Sequence, residues 1–133
     1  MRFFKSKIVL IEDDEVLSLV MAEELKKGGF NVSVASDGEA GLERVRSKKP
    51  DLVLLDLMLP KKSGYEVLKE LKEDAKTKGI PVIILTALSM DEALQKSLKL
   101  GADDYYIKSQ HTVTELVDII KGFFISGKYA REK

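Results

Sequence analysis

The chain contains no cysteine, which excludes disulfides and cysteine-ligated zinc. A reducing compartment is compatible with that lack. No apolar run approaches the roughly 20 residues needed to cross a bilayer, and the stretch from Met1 to Lys7 is too short and mixed for a signal peptide. Charge of one sign is not in excess either, with 22 basic residues against 22 acidic. That balance argues against a general nucleic-acid surface, which needs a basic surplus. The chain also has no internal repeat and no low-complexity tract. A soluble cytoplasmic protein, with neither membrane nor direct nucleic-acid contact, is the expectation. The 133 residues fit one domain, and at this size roughly two-thirds of the unfolded surface can be buried.

Five short apolar runs are present: Ile8-Val9-Leu10-Ile11, Val32-Ser33-Val34-Ala35, Leu52-Val53-Leu54-Leu55, Val82-Ile83-Ile84-Leu85 and Tyr105-Tyr106-Ile107. Three are nearly continuous aliphatic stretches without alternation. Strands buried on both faces look like this, so a parallel sheet covered by helices is predicted. The second and fifth runs are weaker and are assigned to the sheet edges.

Helical spacing fills the intervals. It links Val16, Leu17, Val20, Met21 and Leu25; Ala40, Leu42 and Val45; Val67, Leu68 and Leu71; Ala93, Leu94 and Leu98; and Val113, Leu116, Val117, Ile120 and Phe124. Ser36/Glu39, Ser63/Glu66, Ser89/Glu92 and Thr112/Glu115 have the spacing of capping boxes. Gly28-Gly29 and Gly101 stand where helices should stop. Pro50 and Pro81 sit at strand starts, where a missing N–H is tolerated. The class is α/β: a doubly wound, five-stranded parallel sheet built as (βα)5 with helices on both faces. Ile119 and Phe123 lie off the main stripe of the last helix and are read as extra core, while His111 is read as a surface-loop residue.

In open α/β sheets, ligands bind beyond the carboxyl ends of the strands. Glu12, Asp13 and Asp14 follow the first strand, Asp56 ends the third, Thr86 the fourth and Lys108 the fifth. Converging carboxylates repel one another and resist ionisation. A hard divalent cation relieves that conflict, and Mg²⁺ typically takes one or two carboxylates plus phosphate oxygens and waters. A carboxylate can also be a nucleophile, forming an aspartyl phosphate. Positioning and charge neutralisation on phosphoryl oxygens then fall to a metal and a lysine, and the Thr86 hydroxyl can donate to one of them. Each residue also has a plainer reading: Asp56 as a turn residue, Glu12 and Asp13 as helix-start acids, Lys108 as a solvated lysine, and Tyr105 as a half-buried strand aromatic.

Glu12-Asp13, Leu54-Leu55-Asp56-Leu57-Met58-Leu59-Pro60, Thr86-Ala87 and Gly101-Ala102-Asp103-Asp104-Tyr105-Tyr106-Ile107-Lys108 resemble, in order and spacing, the motifs of the response-regulator receiver domain, the chemotaxis-regulator-like module of two-component signalling. Each motif alone is weak; together they run from about Lys7 to Phe124. The resemblance implies a flavodoxin-like sheet of strand order 2-1-3-4-5, with a receiver over 1–125 and a polar tail or linker start over 126–133. It implies that Asp56 is the phosphoacceptor and that Asp13 binds Mg²⁺ directly, with Glu12 helping through water and the Met58 carbonyl as a further ligand. Lys108 would pair with the phosphoryl group, Thr86 would move toward it, and Tyr105 would rotate inward. Asp14 is read as a helix-start residue.

The implied partners are a sensor histidine kinase or histidine phosphotransfer protein as donor and a downstream protein target. The surface of the fourth helix, fifth strand and last helix would be remodelled, and it permits a homodimer. The chain would catalyse only its own phosphoryl transfer and slow dephosphorylation. Met58 and Leu88, two residues after the acceptor and two after the threonine, cannot hold a water by hydrogen bonds, so a long-lived phosphoryl-Asp56 is predicted. Ser109 follows Lys108 where the family usually has proline, often cis. The alternative is therefore a degenerate receiver serving as an interaction module without phosphorylation. A dehalogenase-type phosphatase would need a second acid at Met58. A flavodoxin-like electron carrier would need a hydroxyl- and glycine-rich loop where Glu12-Asp13-Asp14 stands.

Overall fold

The computed structural model describes residues 6–126; most of the expected tail, from 127 on, lies outside them. The elements alternate: β1 (Lys7–Ile11), α1 (Glu15–Lys27), β2 (Asn31–Ala35), α2 (Gly38–Lys48), β3 (Leu52–Leu55), α3 (Gly64–Glu73), β4 (Val82–Thr86), α4 (Asp91–Lys99), β5 (Asp104–Ile107) and α5 (Val113–Ser126), with a 3₁₀ turn at Lys108–Gln110. All neighbouring strands pair in parallel, in the order β2-β1-β3-β4-β5. The two weaker apolar runs are thus the edges.

The aliphatic runs are unbroken because successive side chains leave the sheet on opposite faces and both faces are covered. Ile8, Leu10, Leu52, Leu54, Ile83 and Leu85 join Met21, Leu25, Leu116, Val117 and Ile120 in one core. Val9, Ile11, Val53, Leu55, Val82 and Ile84 join Leu42, Val45, Val67, Leu68, Leu71 and Ala93 in the other. One layer therefore carries α1 and α5, the other α2, α3 and α4. Ile119 and Phe123 pack against the first core, as expected.

Helix starts agree with the sequence reading in two of four cases. Ser63 and Glu66 exchange side-chain-to-backbone bonds at 3.3 and 3.0 Å, and Thr112 and Glu115 do so at 3.1 and 2.9 Å. At α2 the cap is Asp37 instead of Ser36, accepting from the Ala40 N–H at 2.8 Å; a charged acceptor makes the stronger bond to a helix N-terminus. At α4 the cap position is Met90, with no side-chain bond, and Asp91 and Glu92 in the first turn oppose the helix dipole instead. The α1 stripe is also rotated. Met21, Ala22 and Leu25 are buried, whereas Val16 is 73% exposed and Val20 39%. On α4, Ala93 and Ser97 face inward and Leu98 is exposed. Helical spacing defines two adjacent stripes on each helix, and only docking on the sheet selects one. Gly28 caps α1, and Gly101, at φ 106°, follows α4.

Candidate functional site

The sheet order reverses direction between β1 and β3, since β2 lies on one side of β1 and β3 on the other. Such a switch point opens a crevice at the strand ends. Ile11 and Leu55 are register partners there, so the residues after them, Glu12 and Asp56, become neighbours. The Asp56 N–H donates to the Ile11 carbonyl at 3.1 Å and the Glu12 N–H to the Ala35 carbonyl at 3.0 Å. Both side chains are buried, and Asp13 next to them is exposed.

Carboxylate oxygens of Glu12, Asp13 and Asp56 lie within 4.8 Å of one another. Three hard oxygen donors at that spacing, with one open to solvent, fit a divalent cation that keeps part of its water shell. The Lys108 ammonium lies between the two buried acids, 2.6 Å from Glu12 Oε1 and 2.9 Å from Asp56 Oδ2. The remaining oxygens are also used: Glu12 Oε2 accepts from the Asp14 N–H at 3.1 Å, and Asp56 Oδ1 from the Met58 N–H at 3.2 Å. Burial pushes the Glu12 carboxyl above its ordinary range; the bonds from Lys108 and Asp14 oppose this and the Asp56 charge reinforces it. For Lys108, burial acts downward, but the bonds to Glu12 and Asp56 outweigh it and hold the ammonium protonated.

The structure therefore brings Glu12, Asp13, Asp56 and Lys108 to one point. The described residues contain no cis peptide bond, and Ser109 enters a 3₁₀ turn that still delivers Lys108 to the acids. Asp14 is the α1 cap, accepting from the Leu17 N–H at 3.0 Å. Thr86 is fully buried at the β4 end, its Oγ1 3.5 Å from the Leu88 N–H. The half-buried Tyr105 donates its hydroxyl to the Leu88 carbonyl at 2.8 Å. Burial raises the Tyr105 phenol, aided by its neighbours Tyr65 and the Asp56 carboxylate. Met58 and Leu88 flank the site, Met58 with an exposed side chain. His111 is partly buried, edge-on to Tyr106 with ring centroids 5.5 Å apart, and belongs to none of this.

Sequence reasoning missed two things. The bridging of Glu12 by Lys108 has no local signal, because the residues are 96 positions apart (108 − 12). Gly64 was not singled out either. A Cβ there would lie 2.2 Å from the Asp56 carbonyl oxygen and 2.5 Å from the Leu57 Cα, so α3 can start directly against the Asp56 backbone only with glycine. Its signal was the glycine immediately after the capping Ser63.

Residues 8–121 match the family described as the response regulator receiver domain. The chain is 41% identical over 104 residues to the alkaline phosphatase synthesis transcriptional regulatory protein PhoP of Bacillus subtilis, covering 77% of this chain and 42% of that protein. It thus spans about half or less of the length of the curated relatives it matches. Among solved structures, the phosphorylated cyanobacterial phytochrome response regulator RcpA superposes with a TM-score of 0.80 at 33% identity, over 92% of this chain and 95% of the other. The receiver domain of sensor histidine kinase PA1611 of Pseudomonas aeruginosa, with magnesium coordinated in its active-site cleft, gives 0.78 at 28%, over 87% and 94%. No helix among the described residues is long and apolar enough to cross a membrane.

Proposed function

The chain belongs to the response regulator receiver domain family, and from that premise we propose that it is a phosphorylation-controlled switch whose acceptor is Asp56. The observation that carries this reading is the buried Asp56 carboxylate paired with Lys108 inside a cluster of three acids. The donor is a phosphohistidine on a sensor histidine kinase or phosphotransfer protein. An Asp56 oxygen forms the new O–P bond as the N–P bond to the imidazole breaks. Lys108, already at Asp56 Oδ2, supplies a fixed positive charge for the phosphoryl oxygens. Asp13, Asp56 and the Met58 carbonyl would hold Mg²⁺, with Glu12 acting through water. When bound, the ion neutralises charge on the phosphoryl oxygens and the acids.

The readout runs through Leu88. Its N–H faces Thr86 Oγ1 and its carbonyl accepts from Tyr105. Drawing the Thr86 hydroxyl toward a phosphoryl oxygen removes one hold on the loop before α4, and the Tyr105 bond transmits the change to the α4–β5–α5 surface. That surface is the proposed site of a protein target or of a second copy. The chain performs its own transfer and slow hydrolysis and turns over no other substrate.

The test is intact mass after incubation with Mg²⁺ and acetyl phosphate. One phosphoryl adduct on wild type and none on Asp56→Asn is expected. Equal labelling of both overturns the assignment, and no label on either, with the fold intact, favours the interaction-module reading. The reach of Lys108 despite Ser109 is what supports phosphorylation over that alternative.

A further inference from the structure

The β3–α3 loop carries Met58 and is held at two places. On the α3 side, the Gly64 N–H donates to the Leu57 carbonyl at 2.9 Å. On the other side it rests on the first turn of α2. The Gly38 N–H donates to the Pro60 carbonyl at 3.3 Å. A Cβ on Gly38 would lie 2.0 Å from the Lys62 carbonyl oxygen and 2.8 Å from the Lys62 carbonyl carbon. These are backbone atoms, which cannot swing aside as a flexible side chain would. Between them Lys61 adopts a left-handed backbone, φ 69°, which costs a non-glycine residue energy and persists only where the surroundings impose it. Its ammonium faces the Asp37 carboxylate at 3.7 Å, and Asp37 is the cap of the same helix.

We propose that the first turn of α2, Asp37 and Gly38, is a positioning element for the phosphorylation site: it sets the path of residues 57–62 and so the place of the Met58 backbone beside Asp56. Gly38 touches neither the phosphoryl group nor the metal and acts only through the Pro60 and Lys62 carbonyls. The part of the inference that concerns Mg²⁺ rests on the proposed function; the part that concerns the loop does not.

The experiment compares wild type, Gly38→Ala and Gly122→Ala. Gly122 has nothing within 4 Å of an added Cβ and serves as the matched control. Amide NMR is recorded first without metal, then along a Mg²⁺ titration, well below each variant's Tm. Gly38→Ala should shift the amides of Asp56, Met58 and Lys62 in the metal-free protein. It should also raise the half-saturating Mg²⁺ concentration by about tenfold, as loss of a residue supporting a metal ligand typically does. Gly122→Ala should do neither. A loss of stability alone lowers the folded fraction without moving half-saturation of the molecules that remain folded.

Asp37→Asn covers the case where Gly38→Ala does not fold. It keeps a cap, because asparagine is also a strong N-cap residue, and removes the charge facing Lys61. A smaller shift of the same amides is expected, with a rise of about twofold in half-saturation. Unchanged loop amides and unchanged half-saturation in the folded variants would overturn the inference. A wild type that shows no Mg²⁺-dependent change would overturn the proposed function, while the metal-free shifts would still decide the positioning role.

Discussion

Replacing Lys108 with methionine removes the one cation that, among the described residues, pairs with the two buried acids, while keeping most of the side-chain length. In the wild type the ammonium contacts Glu12 and Asp56 at 2.6 and 2.9 Å. Without it, two carboxylates remain with oxygens no more than 4.8 Å apart. At an effective dielectric constant of about 20, two unit charges at that separation repel by about 3.5 kcal/mol. Removing one partner of a buried ion pair typically costs about 3–5 kcal/mol, so the two routes agree at about 3.5 kcal/mol. At about 4 °C per kcal/mol for a domain of this size, Tm should fall by about 14 °C. The sign of the pH dependence follows from Glu12. Its folded-state pKa is raised by burial, so the unfolded chain ionises first as pH rises through the ordinary carboxylate range. The contribution of Glu12 to stability is present at low pH and is lost as pH climbs toward the folded pKa. Losing Lys108 moves that folded pKa further up. The deficit of Lys108→Met should therefore be largest near neutral pH in chelator and shrink toward pH 5. Millimolar Mg²⁺ should restore most of it. Thermal melts of both proteins across pH, with and without Mg²⁺, measure all of this. A variant as stable as wild type at pH 7 in chelator refutes the account of the cluster, and a deficit indifferent to Mg²⁺ refutes the metal site.

Other consequences are separable. Tyr105→Phe removes the bond to the Leu88 carbonyl and should cost about 1 kcal/mol. It should also speed hydrogen exchange at Leu88 and Ser89; unchanged exchange there would detach Tyr105 from the loop. Polar substitutions at the two flanking positions, Met58→Asn with Leu88→Gln, should shorten the lifetime of phosphoryl-Asp56 several-fold by giving a water hydrogen-bond partners; intact mass over time shows it, and an equal lifetime counts against the apolar-flank account. Ser63→Ala breaks the reciprocal cap of α3 and should lower stability by about 1 kcal/mol in denaturant unfolding, whereas Ser36→Ala should change it little because Asp37 holds that position.

Much of the fold could be read from local pattern. Unbroken runs such as Val82–Leu85 mean a strand covered on both faces, and polar or aromatic interruptions, as at Ser33 and Tyr106, mean an edge. The strand order, which the resemblance implied, was met as well. The acids, Thr86 and Lys108 were legible because each ends a strand, and strand ends share one rim. The failures have local causes too. Ser36 and Asp37 are adjacent acceptors, and spacing alone cannot choose between them. Val16 and Leu17 both continue a helical stripe, and only packing against the core partly buries the second and leaves the first exposed.

By itself, then, the sequence determined the elements, the two-faced burial and which polar groups stand at the strand ends, because periodicity, capping and side-chain chemistry act over a few residues. Only the tertiary structure decided which stripe of α1 turns inward, that Lys108 spans Glu12 and Asp56 together, and that Gly38 and Gly64 let two helix starts press against the loop beside Asp56. Those outcomes depend on distances between segments far apart in the chain. Such distances are set by sheet register and helix docking, and no local spacing records them.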